Sequence, residues 1–105
     1  HNDTDNGVAN SLAAVRAANS ETGAILAASA ELVAGIESPA EAKALRRRLQ
    51  LERLAERMRG GAALDPAAEL RAILLEWCAL GPMEPAEREA LAARVYAAID
   101  RPGSP

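Results

Sequence analysis

The amino-acid sequence predicts an all-α protein, an antiparallel bundle of about four helices with a long capped central helix. Half of the 105 residues are hydrophobic, but there is no Phe, one Trp and one Tyr, so Ala and Leu must supply most of the core. Small core residues bring helices close together, which favours a helix bundle over a deep ligand pocket. Pro and Gly mark the ends of the helical segments, and no segment alternates polar and apolar residues as a half-buried strand does.

The chain has the length of one small domain. Residues 1–7 are polar and acidic, and we expect a disordered leader there. Residues 8–100 should form a single helical domain, and residues 101–105 a frayed tail. Because the sequence starts without Met, we expect a piece of a longer protein or a trimmed chain.

The first helix is predicted over residues 8–36. Its larger apolar residues recur near a 3.5-residue spacing, at Val8, Leu12, Val15, Ile25, Leu32 and Ile36. Residues 19–23 could interrupt it, since Ser20 can cap a new start and Gly23 weakens a helix by about 1 kcal/mol relative to Ala. One bent helix and two shorter helices are both compatible with this pattern.

The second helix is predicted over residues 39–59, and the sequence contains signals for both of its ends. Ser38 and Glu41 have the spacing of a capping box around Pro39, and Gly60 can end the helix in a left-handed conformation. On a helical wheel its apolar residues fall on two faces, so we expect contacts with both the first and the third helix. The two faces are Ala42, Leu45 and Leu49 in the first half, and Leu51, Leu54, Ala55 and Met58 in the second.

Two shorter helices complete the bundle. The third begins at Asp65, a cap followed by a first-turn proline, and Gly81-Pro82 stops it. The fourth starts near Glu84-Pro85, and its acidic first turn complements the helix dipole. The predicted inner faces are Leu70, Ile73, Leu74 and Trp77 on the third helix, and Leu91, Val95, Ala98 and Ile99 on the fourth. Because the turns are short, neighbouring helices should be antiparallel.

The strongest functional candidate is a basic stripe on the second helix, formed by Lys43, Arg46, Gln50, Arg53 and Arg57. Residues 42–59 hold seven basic and two acidic side chains in a chain of net charge −3. Three interpretations are open: a solvated face partly satisfied by Glu52, Glu56 and acids on other helices, a row of phosphate contacts for RNA or DNA, or a surface for an acidic protein. The stripe contains no aromatic residue, which argues against recognition by base stacking.

Trp77 and Cys78 end the third helix. Trp77 continues an apolar face and is interpreted as a core anchor, with an exposed partner anchor as the alternative. Cys78 is the only cysteine, so no internal disulfide can form, and an unpaired thiol favours a reducing compartment. One Cys and the terminal His1 cannot build a zinc site, and no nucleophile–base set is visible. We therefore expect no enzyme activity and no cofactor.

A membrane role is also disfavoured. No apolar run approaches the roughly 18–20 residues that span a bilayer. The apolar residues of the basic helix are divided between two faces, and the polar start does not resemble a signal peptide. These features predict a cytoplasmic protein.

Three motifs carry a resemblance to a known family: Ser38-Pro39-Ala40-Glu41, then Gln50-Leu51-Glu52-Arg53-Leu54, then Glu76-Trp77-Cys78. Together they cover about residues 30–82. This region resembles the C-terminal part of the large, helix-rich bacterial proteins built around the domain of unknown function three-hundred-and-forty-nine. The resemblance implies a terminal helical domain of a cytoplasmic bacterial protein, and it supplies no reaction, cofactor or catalytic residue.

Two functional hypotheses follow. The leading one is a non-enzymatic helical interaction domain, whose partner is another protein or the rest of its own chain. The alternative is a nucleic-acid-associated module that binds phosphates through Lys43, Arg46, Arg53 and Arg57. The sequence leaves the oligomeric state open.

Overall fold

A computed structural model describes residues 2–62 and 65–100, with side chains from residue 7 onward. Within these ranges the chain is helical and contains no strand, which confirms the predicted all-α bundle. The helices are α1 (Asn2–Ala34), α2 (Lys43–Met58), α3 (Pro66–Cys78) and α4 (Pro85–Ile99), with a short 3₁₀ helix at Ala40–Ala42 before α2. The predicted tail, residues 101–105, lies outside the described residues.

The first helix is one continuous element, so the alternative with a break near residues 19–23 is wrong. It starts at Asn2, and residues 2–7, predicted to be a disordered leader, belong to it. Helix extension is cooperative, so a stable helix can continue through residues of modest propensity. At its other end, Gly35 has a φ of 73° and the N–H of Ile36 bonds to the carbonyl of Glu31, so α1 ends two residues before the predicted limit.

Gly23, taken from the sequence as a helix breaker, is a packing residue. A Cβ at this position would lie 3.1 to 3.2 Å from side-chain atoms of Leu91, Met83 and Trp77. Such distances are tighter than ordinary van der Waals contact, so the missing side chain lets α3 and α4 approach the backbone of α1. The small residue therefore contributes close packing without interrupting the helix.

α1, rather than the second helix as predicted, is the central helix of the bundle, because α2, α3 and α4 all pack against it. The core is formed by Leu26, Ala27, Ala30 and Ala34 of α1, Ile73 and Trp77 of α3, Met83, and Leu91, Val95 and Ala98 of α4. The predicted inner faces of α3 and α4 are thus confirmed, with Leu70, Leu74 and Ile99 half-buried at their margins. Alanines dominate the α1 side of this core, as the composition indicated.

Residues 7–18 of α1 contribute no buried side chain to the core. Residues 7–18 are all exposed, including the larger apolar residues Val8, Leu12 and Val15, which are 57%, 50% and 47% exposed. The apolar spacing in the sequence was real, but it does not mark a buried face here. We call residues 7–18 the arm.

The start of α2 differs from the predicted capping box. Ser38 is buried, and its hydroxyl donates to Oε1 of Glu31 at 2.7 Å instead of capping a helix. Residues 40–42 form a 3₁₀ turn that has no side-chain cap, and the α-helical hydrogen-bond pattern begins only at Lys43. Ser38 is engaged elsewhere because burying the Glu31 carboxylate requires hydrogen-bond donors.

The end of α2 follows the prediction. Gly60 has a φ of 87°, and its N–H bonds to the carbonyl of Arg57 while the N–H of Gly61 bonds to that of Glu56. This pair of hydrogen bonds is a Schellman motif, which satisfies two carbonyls at the helix end. The first turns of α3 and α4 are also as predicted, with Pro66 and Pro85 at their starts and the Asp65 carboxylate accepting from the N–H of Ala68 at 3.2 Å.

We expect Gly60→Ala to lower the free energy of unfolding by about 1 kcal/mol, because an L-residue is strained at positive φ. A Cβ there meets no atom within 4 Å, so no steric clash contributes. Gly7→Ala is the matched control: it is also free of neighbours but lies inside a helix, and it should leave stability unchanged or raise it. Urea denaturation followed by circular dichroism measures both, and an unchanged Gly60→Ala midpoint would contradict the helix end described here.

Candidate interaction surface on the second helix

The basic stripe predicted on α2 is not continuously exposed. Lys43, Gln50 and Arg57 are exposed, but Arg46 and Arg53 are half-buried and bond to other parts of the chain. The five residues still lie along one side of the helix. The structure therefore divides the stripe into two structural arginines and three residues that face solvent.

Arg46 fixes the turn between α1 and α2. Its guanidinium donates to the carbonyl of Ile36 and, at 3.2 Å, to the hydroxyl of Ser38. Ser38 in turn donates to Glu31, which is only 3% exposed. This chain of hydrogen bonds ties the start of α2 to the buried face of α1.

Glu31 is held from the opposite side by Arg94 of α4. Nε and Nη2 of Arg94 lie 2.9 and 2.7 Å from the two carboxylate oxygens, which is a bidentate ion pair. Glu31, Ser38, Arg46 and Arg94 thus form a polar network joining α1, the turn and α4. We refer to these four residues as the Glu31 network.

Arg53 connects α2 to α3. Both of its terminal nitrogens donate to the carboxylate of Glu69, in the first turn of α3. An acid from a neighbouring helix therefore satisfies this arginine, as one of the three interpretations of the stripe proposed. On α2 itself, Glu52 pairs with Arg48 at 3.7 Å and Glu56 with Arg59 at 2.6 Å, both at the surface.

Two shallow grooves flank the exposed members of the stripe. One, of about 340 Å³, is lined by Lys43, Arg46, Arg47 and Gln50 together with the turn of residues 35–38. The other, of about 390 Å³, lies between α1, α2 and the start of α3 and includes Arg53, Leu54 and Arg57. Of the basic side chains that line these grooves, Lys43, Arg47 and Arg57 make none of the hydrogen bonds or ion pairs described above.

The most unusual surface on α2 is apolar. Leu51, Leu54 and Met58, predicted to be buried, are 62%, 53% and 81% exposed. They follow an i, i+3, i+7 spacing, so they share one side of the helix. Leu49, about half a turn away from this side, is buried. Only one of the two predicted apolar faces of α2 is therefore used inside the domain; we call Leu51, Leu54 and Met58 the outer face.

The physical reason lies in how α2 is attached. It packs on α1, and the Arg53–Glu69 ion pair links it to α3. The second groove, rather than a packed apolar contact, lies between α2 and the start of α3. A helix held on one side by packing and on the other by charge leaves its second apolar face unpartnered. Contiguous exposed leucine and methionine side chains are characteristic of surfaces that bind other proteins.

Trp77 is not part of a surface. It is 3% exposed within the core, and the Arg88 guanidinium lies over its ring at 5.6 Å from the ring centre. The structure therefore agrees with the prediction that Trp77 is a core anchor. The alternative, an exposed anchor for a partner, does not fit a side chain that is buried. Cys78, the next residue, is an exposed free thiol.

No group of three or more His, Cys, Asp or Glu residues is placed to hold a metal ion in the described ranges. Likewise, no helix of residues 2–62 and 65–100 is long and apolar enough to cross a bilayer. Comparison of the chain with protein-family models, curated proteins and solved structures finds no match. The resemblance to the bacterial proteins of the domain of unknown function three-hundred-and-forty-nine therefore stays a prediction.

The burial of Glu31 and the exposure of the outer face were not predicted from the sequence. Glu31 is the one charged residue between Thr22 and Ile36, and a lone acid in such an apolar run is a signal of a buried, paired carboxylate. The exposure of the outer face had a weaker signal: half of the sixteen residues of α2 are charged, which favours exposure of much of its surface.

Proposed function

We propose that this chain is a non-enzymatic helical interaction domain, and that the outer face of α2 is its docking surface for an apolar helix. The main observation in support is that Leu51, Leu54 and Met58 are exposed. In contrast, most of the large apolar residues of α3 and α4 lie in the core. An unpartnered amphipathic helix face with apolar residues at i, i+3 and i+7 has the geometry of helix-to-helix recognition.

The charges around the outer face indicate the chemistry of the docked helix. Arg47, Arg48 and Arg57 flank it, while Glu52 is the acid nearest in sequence to Leu51 and pairs with Arg48. A strongly basic helix is repelled by these arginines, whereas a helix with few basic residues beside its apolar stripe can dock there. The exposed thiol of Cys78 supports a reducing, cytoplasmic setting.

Site-specific photocrosslinking tests this proposal. A benzophenone amino acid replaces Leu54 in the outer face, or Glu52, which is 64% exposed on another side of the same helix, as the matched control. In cells that produce the protein, irradiation should yield a protein adduct from position 54 and little from position 52. The adduct should form equally well after lysis into high salt, because apolar contacts tolerate salt.

The nucleic-acid alternative makes the opposite prediction about salt. Binding of labelled RNA or DNA would have to weaken steeply as salt rises and to disappear when Lys43, Arg47 and Arg57 are changed together to Glu. These three are the appropriate residues because changing Arg46 or Arg53 would also disrupt contacts that hold the fold. Salt-sensitive nucleic-acid binding, with no adduct from position 54, would replace the proposed function by this one.

A further inference from the structure

Residues 7–62 and 65–100 carry two unpartnered apolar helix faces, not one. The first is the outer face of α2, and the second is the apolar stripe of the arm, Val8, Leu12 and Val15, about half exposed. Both stripes extend over eight residues of a regular helix and hold three large apolar side chains. A helix face of this kind left in water on an otherwise packed domain indicates a contact that is made elsewhere.

The two stripes match when they run in opposite directions. Along the arm the spacings are four and then three residues, and along the outer face they are three and then four. An antiparallel pair therefore aligns all three layers, as the a and d positions of antiparallel helices do. The layers are Val15 with Leu51, Leu12 with Leu54, and Val8 with Met58.

The charges disfavour the pairing of two α2 helices. α2 contains six basic and two acidic residues, whereas Arg16 is the one charged residue of the arm. Pairing of two α2 helices would bring like charges together.

The arm cannot reach the outer face of its own chain. α2 packs on the second half of α1, where Leu32 and Val33 line a groove with Leu54. Leu12 lies twenty residues before Leu32 on the same continuous helix, a separation of about 30 Å at 1.5 Å per residue. A contact between these two stripes must therefore join two molecules.

We propose that the arm of one copy docks antiparallel on the outer face of a second copy. This inference rests on the proposed function, because it names the partner of the same docking surface. The contact is heterologous: a stripe on one molecule meets a different stripe on the next, so each copy has one donor site and one acceptor site.

Sedimentation velocity on the purified chain tests this contact, over a range from about 1 µM to about 1 mM that covers weak apolar association. The average mass of the wild-type chain should rise above the 11.0 kDa of one copy. Leu12→Glu and Leu54→Glu should each weaken the association by at least tenfold, since each places a charge in the central layer. Leu75→Glu, at a residue 68% exposed on α3, is the matched control and should associate as the wild type does.

Mixing the two variants gives the sharpest result. Leu12→Glu keeps an intact outer face and Leu54→Glu keeps an intact arm, so an equimolar mixture should form a complex of two chains although each variant alone stays monomeric. Circular dichroism of each variant should match the wild type, because all the substituted positions are exposed.

Other outcomes overturn the proposal. Association abolished by Leu12→Glu but not by Leu54→Glu would indicate arm-to-arm pairing, and the reverse would indicate pairing between α2 helices. A wild-type chain that stays monomeric throughout the range would exclude self-docking. In that case a crosslinked adduct of another protein at position 54 would preserve the proposed function, and the absence of any adduct would remove both.

Discussion

Replacing Trp77 by Ala should lower the free energy of unfolding by about 3–5 kcal/mol, the usual cost of truncating a buried aromatic residue. Trp77 is 3% exposed, packs against the α1 backbone at Gly23 and carries the Arg88 guanidinium over its ring. In an Ala-rich core it is the largest side chain, so neighbours cannot fill the space that it leaves. A domain of this size has a total stability of about 5–15 kcal/mol, so the variant should be close to unfolded under mild denaturing conditions.

Urea denaturation followed by circular dichroism measures this effect. The control is Leu75→Ala, two residues earlier on the same helix and 68% exposed, which should change stability by less than about 0.5 kcal/mol. A Trp77→Ala cost below about 1 kcal/mol, or one equal to that of the control, would mean that α3 does not anchor the core through this residue.

The Glu31 network gives the second large effect. Glu31→Gln should lower the free energy of unfolding by about 3 kcal/mol, because Arg94 would keep its charge at a largely buried site without a compensating carboxylate. The side chains of Glu31 and Arg94 are 3% and 19% exposed. The surface pair Arg48–Glu52 is the control, and Glu52→Gln should cost less than about 0.5 kcal/mol.

A double variant separates the ion pair from simple packing. Changing Glu31 and Arg94 together to Leu removes both charges, and it should be less destabilising than Glu31→Leu alone, which leaves the arginine uncompensated. Equal costs for Glu31→Gln and Glu52→Gln, or a double variant worse than the sum of its single changes, would contradict the burial of this pair. Both comparisons use the same denaturation measurement.

Much of the fold could be predicted from local sequence signals. Pro66 and Pro85 mark helix starts, Gly60 marks a helix end, and the spacing from Leu70 to Trp77 marks an inner face; each signal acts within a few residues. Such signals depend on backbone geometry and on helical periodicity, which are fixed before any tertiary contact forms.

The errors arose where tertiary packing decides between local alternatives. Gly23 looks like a helix breaker in sequence, but it lies where α3 and α4 approach α1 most closely. Ser38 has the spacing of a cap, but its hydroxyl serves the buried Glu31. In both cases the deciding neighbour lies outside the local segment, so periodicity and capping rules could not identify it.

The candidate surface was predicted only in part. Charge composition identified α2 as the helix of interest, and it anticipated that acids on other helices would neutralise some of its arginines, as Glu69 does for Arg53. Helical periodicity predicts a buried face at Leu51, Leu54 and Met58, because a helical wheel shows which residues share a face but not whether another helix covers it. Only the packing of α2 on α1 shows that this face remains free.

The central claim, that the outer face of α2 is free in the single molecule and covered on docking, can be tested with the two methionines of the chain. Met58 is 81% exposed in the outer face, and Met83 is 5% exposed in the core. With their methyl groups labelled with carbon-13, both can be followed by NMR while a soluble paramagnetic agent broadens the signals of exposed groups. In dilute protein the Met58 signal should be strongly broadened and the Met83 signal preserved. At high concentration the Met58 signal of the wild type should become protected from broadening, because docking covers the outer face. The Met58 signal of Leu12→Glu should stay broadened. Equal protection of Met58 and Met83 in dilute protein would contradict the claim.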